Sequence, residues 1–291
     1  MANNFALGAL DLCKLYGDES HQEVIWESIE LAPRLEAMGY TRYWLAEHHG
    51  SDVAHGSPEL LVPVLGGVTR TMRIGTAGIL LRLYSPYKIA ENFRLLHTLF
   101  PDRIDLGIAR GFVSTDREKA FLSGPEIPFE KKVSQLLGYV RGTQYPVANP
   151  ANTAAPEIWM LGSKMTSMEL AAEWGTAFCY ALFLDVAASS STAEVINQYR
   201  KQFKPSVNLK QPKWSIAIAG VCAGSVEQAH TLAPTEEIGV LKNILGTPSM
   251  WRDQLVQLRD QTETSEFIIM DLCRGVDKRA RSYELLASAI L

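Results

Sequence analysis

The chain has 291 residues, 47% of them hydrophobic and 21% charged, with a formal net charge of −4. That is enough apolar sequence to bury a full core, and a mildly acidic balance without clustered Lys and Arg argues against nucleic acid as a partner, since phosphate backbones are bound by basic patches. No apolar run approaches the roughly 18 residues that span a bilayer. The first dozen residues also lack the basic start and cleavage site of a secretory signal, so a cytoplasmic protein with no membrane partner is expected.

In chain order, strand-like and helix-like segments alternate. Residues 5–12 are the first strand candidate. Residues 24–38 carry apolar side chains at helical spacing (Ile25, Ile29, Ala32, Leu35) and stop at Gly39, a residue suited to ending a helix. Tyr43-Trp44-Leu45-Ala46 reads as a second strand, hydrophobic throughout as expected of a parallel strand buried on both faces, and it leads directly into Glu47, His48, His49 and Gly50. Ser57-Pro58-Glu59 has the N-cap, first-turn proline and first-turn acid of a helix start, continued over residues 60–69. Residues 73–81 form strand three, Ser85-Pro86 opens a helix to about residue 99, and residues 104–110 form strand four. Less regular sequence follows, then a helix over 129–141 and a loop rich in Pro, Asn and Ala over 145–156. The second half continues with strand five (158–161), a helix (166–174), strand six (176–183), a helix (192–203) and strand seven (214–222). Thr247-Pro248 starts a helix to residue 258, and strand eight (267–272) precedes a terminal helix over 278–290.

Eight strands each followed by a helix imply a parallel (β/α)8 TIM barrel, with a doubly wound open sheet as the alternative. No linker or low-complexity stretch divides residues 1–291, so one domain is expected. Cys13, Cys179, Cys222 and Cys273 lie far apart in apolar runs and read as core thiols. His48 and His49 are adjacent, and neighbours on an extended chain point to opposite faces, which argues against a shared metal.

In a barrel the strand ends line one mouth, where ligands bind. Glu47 to His49, Thr76-Ala77-Gly78, Ala109-Arg110-Gly111 and Gly162-Ser163 then converge. An arginine beside a glycine, with Gly-Ser opening another helix, supplies a guanidinium, backbone N–H groups and a hydroxyl, a set suited to a terminal phosphate. Taken one at a time, the glycines also read as turns, Arg110 as a structural ion-pair partner and Ser163 as a plain N-cap.

The run Tyr43 to Gly50, residues 74–83 with Ser85-Pro86 and Ala90-Glu91, and the stretch from Asp102 to Gly111 closely resemble the bacterial luciferase-like flavin monooxygenases. Residues 158–163, Ala171-Ala172-Glu173-Trp174-Gly175, Gly246-Thr247-Pro248 and Arg281-Ser282 extend the resemblance over nearly the whole chain. It implies a barrel of the luciferase-like type that uses reduced FMN (FMNH2), supplied by a separate flavin reductase, and dioxygen to insert one oxygen atom into a small organic substrate. By resemblance, Glu47 and His48 are the catalytic acid and histidine, while Arg110, Gly162 and Ser163 hold the phosphate. Thr76, Ala77 and Gly78 run under the isoalloxazine, where the family often has a non-prolyl cis peptide. Tyr43 to Ala46, Phe5, Leu81 and Phe112 are candidates for an apolar wall.

The resemblance also implies a homodimer, or a heterodimer with a paralogue, through the helices after strands two and three, with Leu60, Leu61, Val64, Leu65, Val68, Ile89, Phe93 and Leu96 as its apolar face. Two departures from the family stand out: the segment over residues 223–246 is short, and Lys164-Met165-Thr166 is poorer in hydroxyls than in luciferase itself. The rival readings are a deazaflavin-dependent hydride-transfer enzyme and a non-catalytic flavin-binding partner subunit.

Overall fold

The computed structural model of the chain describes residues 5–111, 127–151, 153–185, 191–235 and 243–291. Strands β1 (Ala6–Asp11), β2 (Arg42–Leu45), β3 (Arg73–Thr76) with β4 (Ile79–Leu80), β5 (Ile104–Ala109), β6 (Glu157–Gly162), β7 (Ala177–Ala181), β8 (Trp214–Cys222) and β10 (Glu266–Asp271) pair in parallel, and β10–β8 pairing closes an eight-position barrel. The outer layer comprises α1 (His21–Ala37), α2 (Pro58–Val68), α3 (Pro86–Leu99), α4 (Phe129–Val140), α5 (Met165–Trp174) and α6 (Thr192–Gln202). It continues with the short α7 (Val226–Leu232), α8 (Pro248–Thr262) and α9 (Val276–Ile290). Among the described residues no helix is long and apolar enough to cross a membrane.

Local chemistry sets the helix starts. Ser20 and Glu23 form a capping box, so α1 begins three residues earlier than its apolar spacing suggests. Ser85 and Thr247 cap α3 and α8 by accepting from Lys88 N and Met250 N, each ahead of a first-turn proline.

Three elements differ from the sequence reading. Strand three is broken: β3 ends at Thr76, β4 resumes at Ile79, and Leu81–Leu83 form a 3-10 turn. Gly78 lies so close to the Gly107–Ile108 backbone that an added Cβ would come within 2.9 Å of it, and the chain bends there. Strand six is shorter than expected, running only over Ala177–Ala181 before a second 3-10 turn, Leu182–Leu184. The segment after strand seven contains α7 and a further strand, β9 (Asn243–Gly246), which pairs with the upper half of β8.

Alternation along each strand separates two cores. Leu7, Ala9, Tyr43, Leu45, Ile74, Leu106 and Ile108 face the helices. Leu10, Trp44, Ala46, Trp159, Leu161, Cys179, Ala181, Ala219 and Met270 fill the barrel. All four cysteines are free and buried, with burial raising each thiol's pKa. They are core thiols, as read from their apolar context.

The lower barrel is not apolar. Arg42, almost fully buried, donates to Asp105 (2.6 Å), Glu266 (2.5 Å) and Glu157 (3.5 Å), tying β2 to β5, β10 and β6. Its guanidinium lies 5.2 Å from the Trp44 ring and 4.7 Å from the Trp159 ring. Asp105 also accepts from Trp44 Nε1 at 2.8 Å and from Arg73 Nε and Nη2 at 2.8 and 2.6 Å. Lys213 completes the set on Glu157 at 2.8 Å. Burial works against charge on Arg42, yet the surrounding carboxylates hold its pKa above the usual value. Burial likewise raises Glu157, but Arg42 and Lys213 outweigh it and leave the carboxyl below its usual range.

The apolar face assigned to assembly divides differently in three dimensions. Leu65, Ile89, Phe93 and Leu96 are core residues, whereas Leu60, Val64 and Val68 on α2 and Leu95 and Leu99 on α3 are the exposed ones.

Breaking the interior ion network tests its importance. Asp105→Asn keeps the shape but removes the carboxylate shared by Arg42 and Arg73, leaving Arg42 with Glu266 and Glu157 alone, and is expected to destabilise the fold by about 3–5 kcal/mol. Urea unfolding measures this, and an unchanged midpoint shows the network to be idle.

Candidate active site

Register brings the candidate residues to one rim. Leu45 pairs with Thr76, Leu80 with Ala109, Ala109 with Leu161 and Gly162 with Tyr180. Glu47 to His49, Thr76 to Gly78, Arg110 and Gly162-Ser163 therefore follow four neighbouring strand positions at the C-terminal mouth. Trp44 and Trp159 meet edge-on below it, with ring centroids 5.2 Å apart. Above them the inward side chains include the small Ala46, Ala77, Ala181 and Ala219.

The end of β2 splits its two histidines by parity. Glu47 is buried, and its carboxylate accepts from Leu80 N at 2.9 Å and from the Tyr84 hydroxyl at 2.7 Å, and pairs with His49 Nε2 at 2.8 Å. The acid thus engages the histidine two residues on, not its immediate neighbour. By parity His48 falls on the side of Trp44 and Ala46, and it is exposed to solvent. Desolvation lowers its pKa below the usual 6.5, Asp52 opposes this, and Lys14 and His49 reinforce it. His48 is therefore a neutral imidazole at neutral pH. Burial raises the pKa of Tyr84, and the Glu47 carboxylate raises it further, so its phenol stays a donor.

Thr76 is buried and donates to Gly107 O at 3.2 Å, Ala77 N–H donates to Leu45 O at 2.8 Å, and the peptide between Ala77 and Gly78 is cis. Arg110 is half-exposed, lies 4.8 Å from the Phe129 ring centroid and pairs with the half-exposed Glu130 at 2.5 Å. Gly162 packs against α5, since an added Cβ would sit 2.4 Å from Ser167 Oγ. Ser163 is not a helix cap. Lys164 holds that position and makes no side-chain cap bond; Ser167 N–H donates to Lys164 O at 3.0 Å, which leaves the first two N–H groups of α5, those of Met165 and Thr166, next to Ser163.

Tyr84 is the residue that sequence reasoning missed, because nothing near it in the chain distinguishes it; only the 3-10 turn after β4 brings it to Glu47. Of the expected apolar wall, Tyr43, Leu45, Phe5 and Leu81 face the helices, Trp44 and Ala46 fill the barrel, and Phe112 lies outside the described residues.

The geometry tests the fit of a phosphate-bearing cofactor. Among the described residues Arg110 is paired with the half-exposed Glu130 and stacked near Phe129, Ser163 is partly exposed at the end of β6, and α5 starts without a side-chain cap. These donors suit a phosphate.

Comparison with known proteins identifies the family. Residues 7–141 match a family model described as luciferase-like monooxygenase. A luciferase-like monooxygenase of Escherichia coli (strain K12) is 33% identical over 238 residues, covering 78% of this chain and 69% of the relative. N-acetyl-S-alkylcysteine monooxygenase of Bacillus subtilis (strain 168) is 29% identical over 332 aligned residues, 98% of each chain. The crystal structure of apo-MsnO8 superposes with a TM-score of 0.90 at 28% identity, covering 99% of this chain and 98% of that one. Two remoter structures share the fold alone: the oxygenating constituent of 3,6-diketocamphane monooxygenase from Pseudomonas putida in complex with FMN (TM-score 0.73, 14% identity; 98% of this chain, 97% of that one) and an F420-dependent secondary alcohol dehydrogenase (0.69, 12%; 99% of each).

The electrostatics at His48 can be checked directly. Its imidazole is expected to titrate below 6.5 by NMR, and Asp52→Asn should lower the midpoint further, because the Asp52 carboxylate pulls it up. A midpoint above 6.5 contradicts this.

Proposed function

Since the chain belongs to the luciferase-like monooxygenase family, we propose that it is a flavin-dependent monooxygenase that takes reduced FMN from a separate reductase. With dioxygen it inserts one oxygen atom into a small organic substrate. The observation that supports this reading is the register that sets Arg110 and Ser163 just past the ends of the neighbouring strands β5 and β6, next to the start of α5, with His48 just past the end of β2 on the same rim.

When bound, reduced FMN supplies the electrons and activates dioxygen. The chain's own residues bind, orient and handle protons. Arg110 trades its exposed bond to Glu130 for the phosphate, while Ser163 and the α5 N–H groups add donors. Ala46 and Ala77 leave room for a flat ring. Thr76, tied to Gly107 O, fixes the strand edge beneath it. His48, neutral at its depressed pKa, accepts a proton at an imidazole nitrogen beside the reacting centre. Glu47 acts through others: by holding Leu80 N, Tyr84 and His49 it fixes the end of β2, from which His48 projects. Reduced, buried thiols fit a cytoplasmic setting.

The same reading extends to assembly. Adjacent helices α2 and α3 each present an exposed apolar row, Leu60, Val64 and Val68 on one and Leu95 and Leu99 on the other, which supports a homodimer through this face. Val64→Lys is expected to yield a folded monomer by light scattering where the unaltered chain is dimeric. A monomeric parent chain at micromolar concentration defeats the proposal.

Arg110→Ala tests the phosphate assignment. FMN affinity should fall by about 1.5–3 kcal/mol, the scale of a hydrogen bond to a charged group, and riboflavin affinity much less. Equal losses make Arg110 structural. With an N-acetyl-S-alkylcysteine as the first assay substrate, chosen because one relative is named for it, His48→Ala should lose about 10²–10⁴-fold in oxygen transfer while FMN binding holds, releasing more hydrogen peroxide per product. In the parent chain kcat/KM should fall on the acid side, with a midpoint below 6.5, as His48 becomes protonated. An acid limb that survives in the variant assigns it to another group.

A further inference from the structure

The face of the barrel opposite the mouth holds a second cavity of about 210 Å³, at the N-terminal ends of β6 and β7 and beside the loop that leads into β8. One liquid water takes up about 30 Å³, so the space is far larger than a single solvent site. Three residues of its lining each carry a buried polar atom with no hydrogen-bond partner among the described residues: His97 Nδ1, Arg141 Nε and Thr176 Oγ1. His97 is only 6% exposed and Thr176 only 2%. A buried polar group without a partner is costly, and three on one lining ask for a ligand.

Charge says what kind. Arg141 donates one N–H to Trp174 O at 2.9 Å, and among the described residues no carboxylate forms an ion pair with it. Burial alone lowers its pKa. The other charged groups facing the cavity are already engaged or peripheral. Arg73 is spent on Asp105, Glu157 on Arg42 and Lys213, and Asp102 lies on the exposed rim, where its charge only partly offsets the desolvation that lowers the pKa of His97. Residues 204–213, which contribute Asn208 and Leu209 to the lining, carry no acid, and of their three lysines Lys204 pairs with Glu173 and Lys213 with Glu157. All three unpartnered atoms can donate: the guanidinium N–H, the hydroxyl, and the imidazole when its hydrogen is on Nδ1.

We propose that this cavity binds a small oxyanion, a phosphate or a carboxylate, at a site separate from the flavin mouth. Converging donors, one of them on a cation without a counter-charge, are satisfied by an acceptor-only group carrying negative charge. Arg141 and Thr176 are its principal contacts. The site lies on the face that barrel enzymes use for stability rather than chemistry, so a bound anion acts on the fold and not on the reacting atoms.

The test is calorimetric titration of the full chain, in an Arg110→Ala background that keeps the mouth from answering for the cavity, with inorganic phosphate and separately with acetate. Saturable binding of either is expected, and which one binds tells a phosphate source from a carboxylate source. Adding Arg141→Gln or Thr176→Val should weaken that binding by about tenfold or more. Thr176→Val preserves volume and removes an unpaired hydroxyl, so it leaves the barrel folded even if Arg141→Gln does not. Bound phosphate should also raise the NMR titration midpoint of His97. If neither anion binds, or binding is indifferent to both substitutions, the cavity holds only water and the proposal is overturned. None of these outcomes depends on whether flavin binds at the mouth.

Discussion

The barrel is organised around a cation in its interior. Arg42 sits between two tryptophan rings and reaches carboxylates on three other strands, so it ties opposite walls together from within. A buried charge is unfavourable unless fully paired, and here each partner is further satisfied: Asp105 by Arg73 and Trp44, Glu157 by Lys213 and Trp159. Glycines make the room. An added Cβ at Gly75 would lie 2.1 Å from Asp105 O, and one at Gly107 would lie 1.9 Å from Thr76 O, so β3 and β5 close tightly. The two tryptophans and the ion network therefore occupy the lower barrel, while the alanines Ala46, Ala77, Ala181 and Ala219 are among the residues above them.

At the rim a second buried charge does related work. Glu47 gathers Leu80 N, Tyr84 and His49 from two strand ends and a 3-10 turn, and so fixes the geometry where β2 leaves the barrel. Because side chains alternate, anchoring Glu47 and His49 on one side leaves His48 on the other, facing the mouth. On the proposed reading the donors for a phosphate come from β5 and β6 next door, and acid–base function and cofactor binding are carried by different strands held in one register.

Much of this was legible in the residues. The alternation of apolar strands with capped helices gave the barrel, and the polar residues at strand ends gave the rim. The Glu47–His49 contact could also have been read, since two residues along an extended chain share a side. Arg42 could not: at the start of a short strand it resembles a solvated end, and its partners lie 63, 115 and 224 residues away in sequence. Tyr84 was hidden for the same reason. The strand β9 is too short and too late in its segment to announce itself. On α2 and α3, composition showed an excess of apolar residues, but only the packed structure separates Leu65, Ile89, Phe93 and Leu96, which the core needs, from Leu60, Val64 and Leu99, which it does not.

The central claim is that the mouth is built for reduced FMN. Anaerobic titration of the full chain with reduced FMN and, in parallel, with a reduced F420-type deazaflavin addresses it most directly. The account predicts saturable binding of reduced FMN, tighter than that of oxidised FMN, and consumption of dioxygen when air is admitted. Saturable binding of the deazaflavin with no measurable binding of reduced FMN would contradict it.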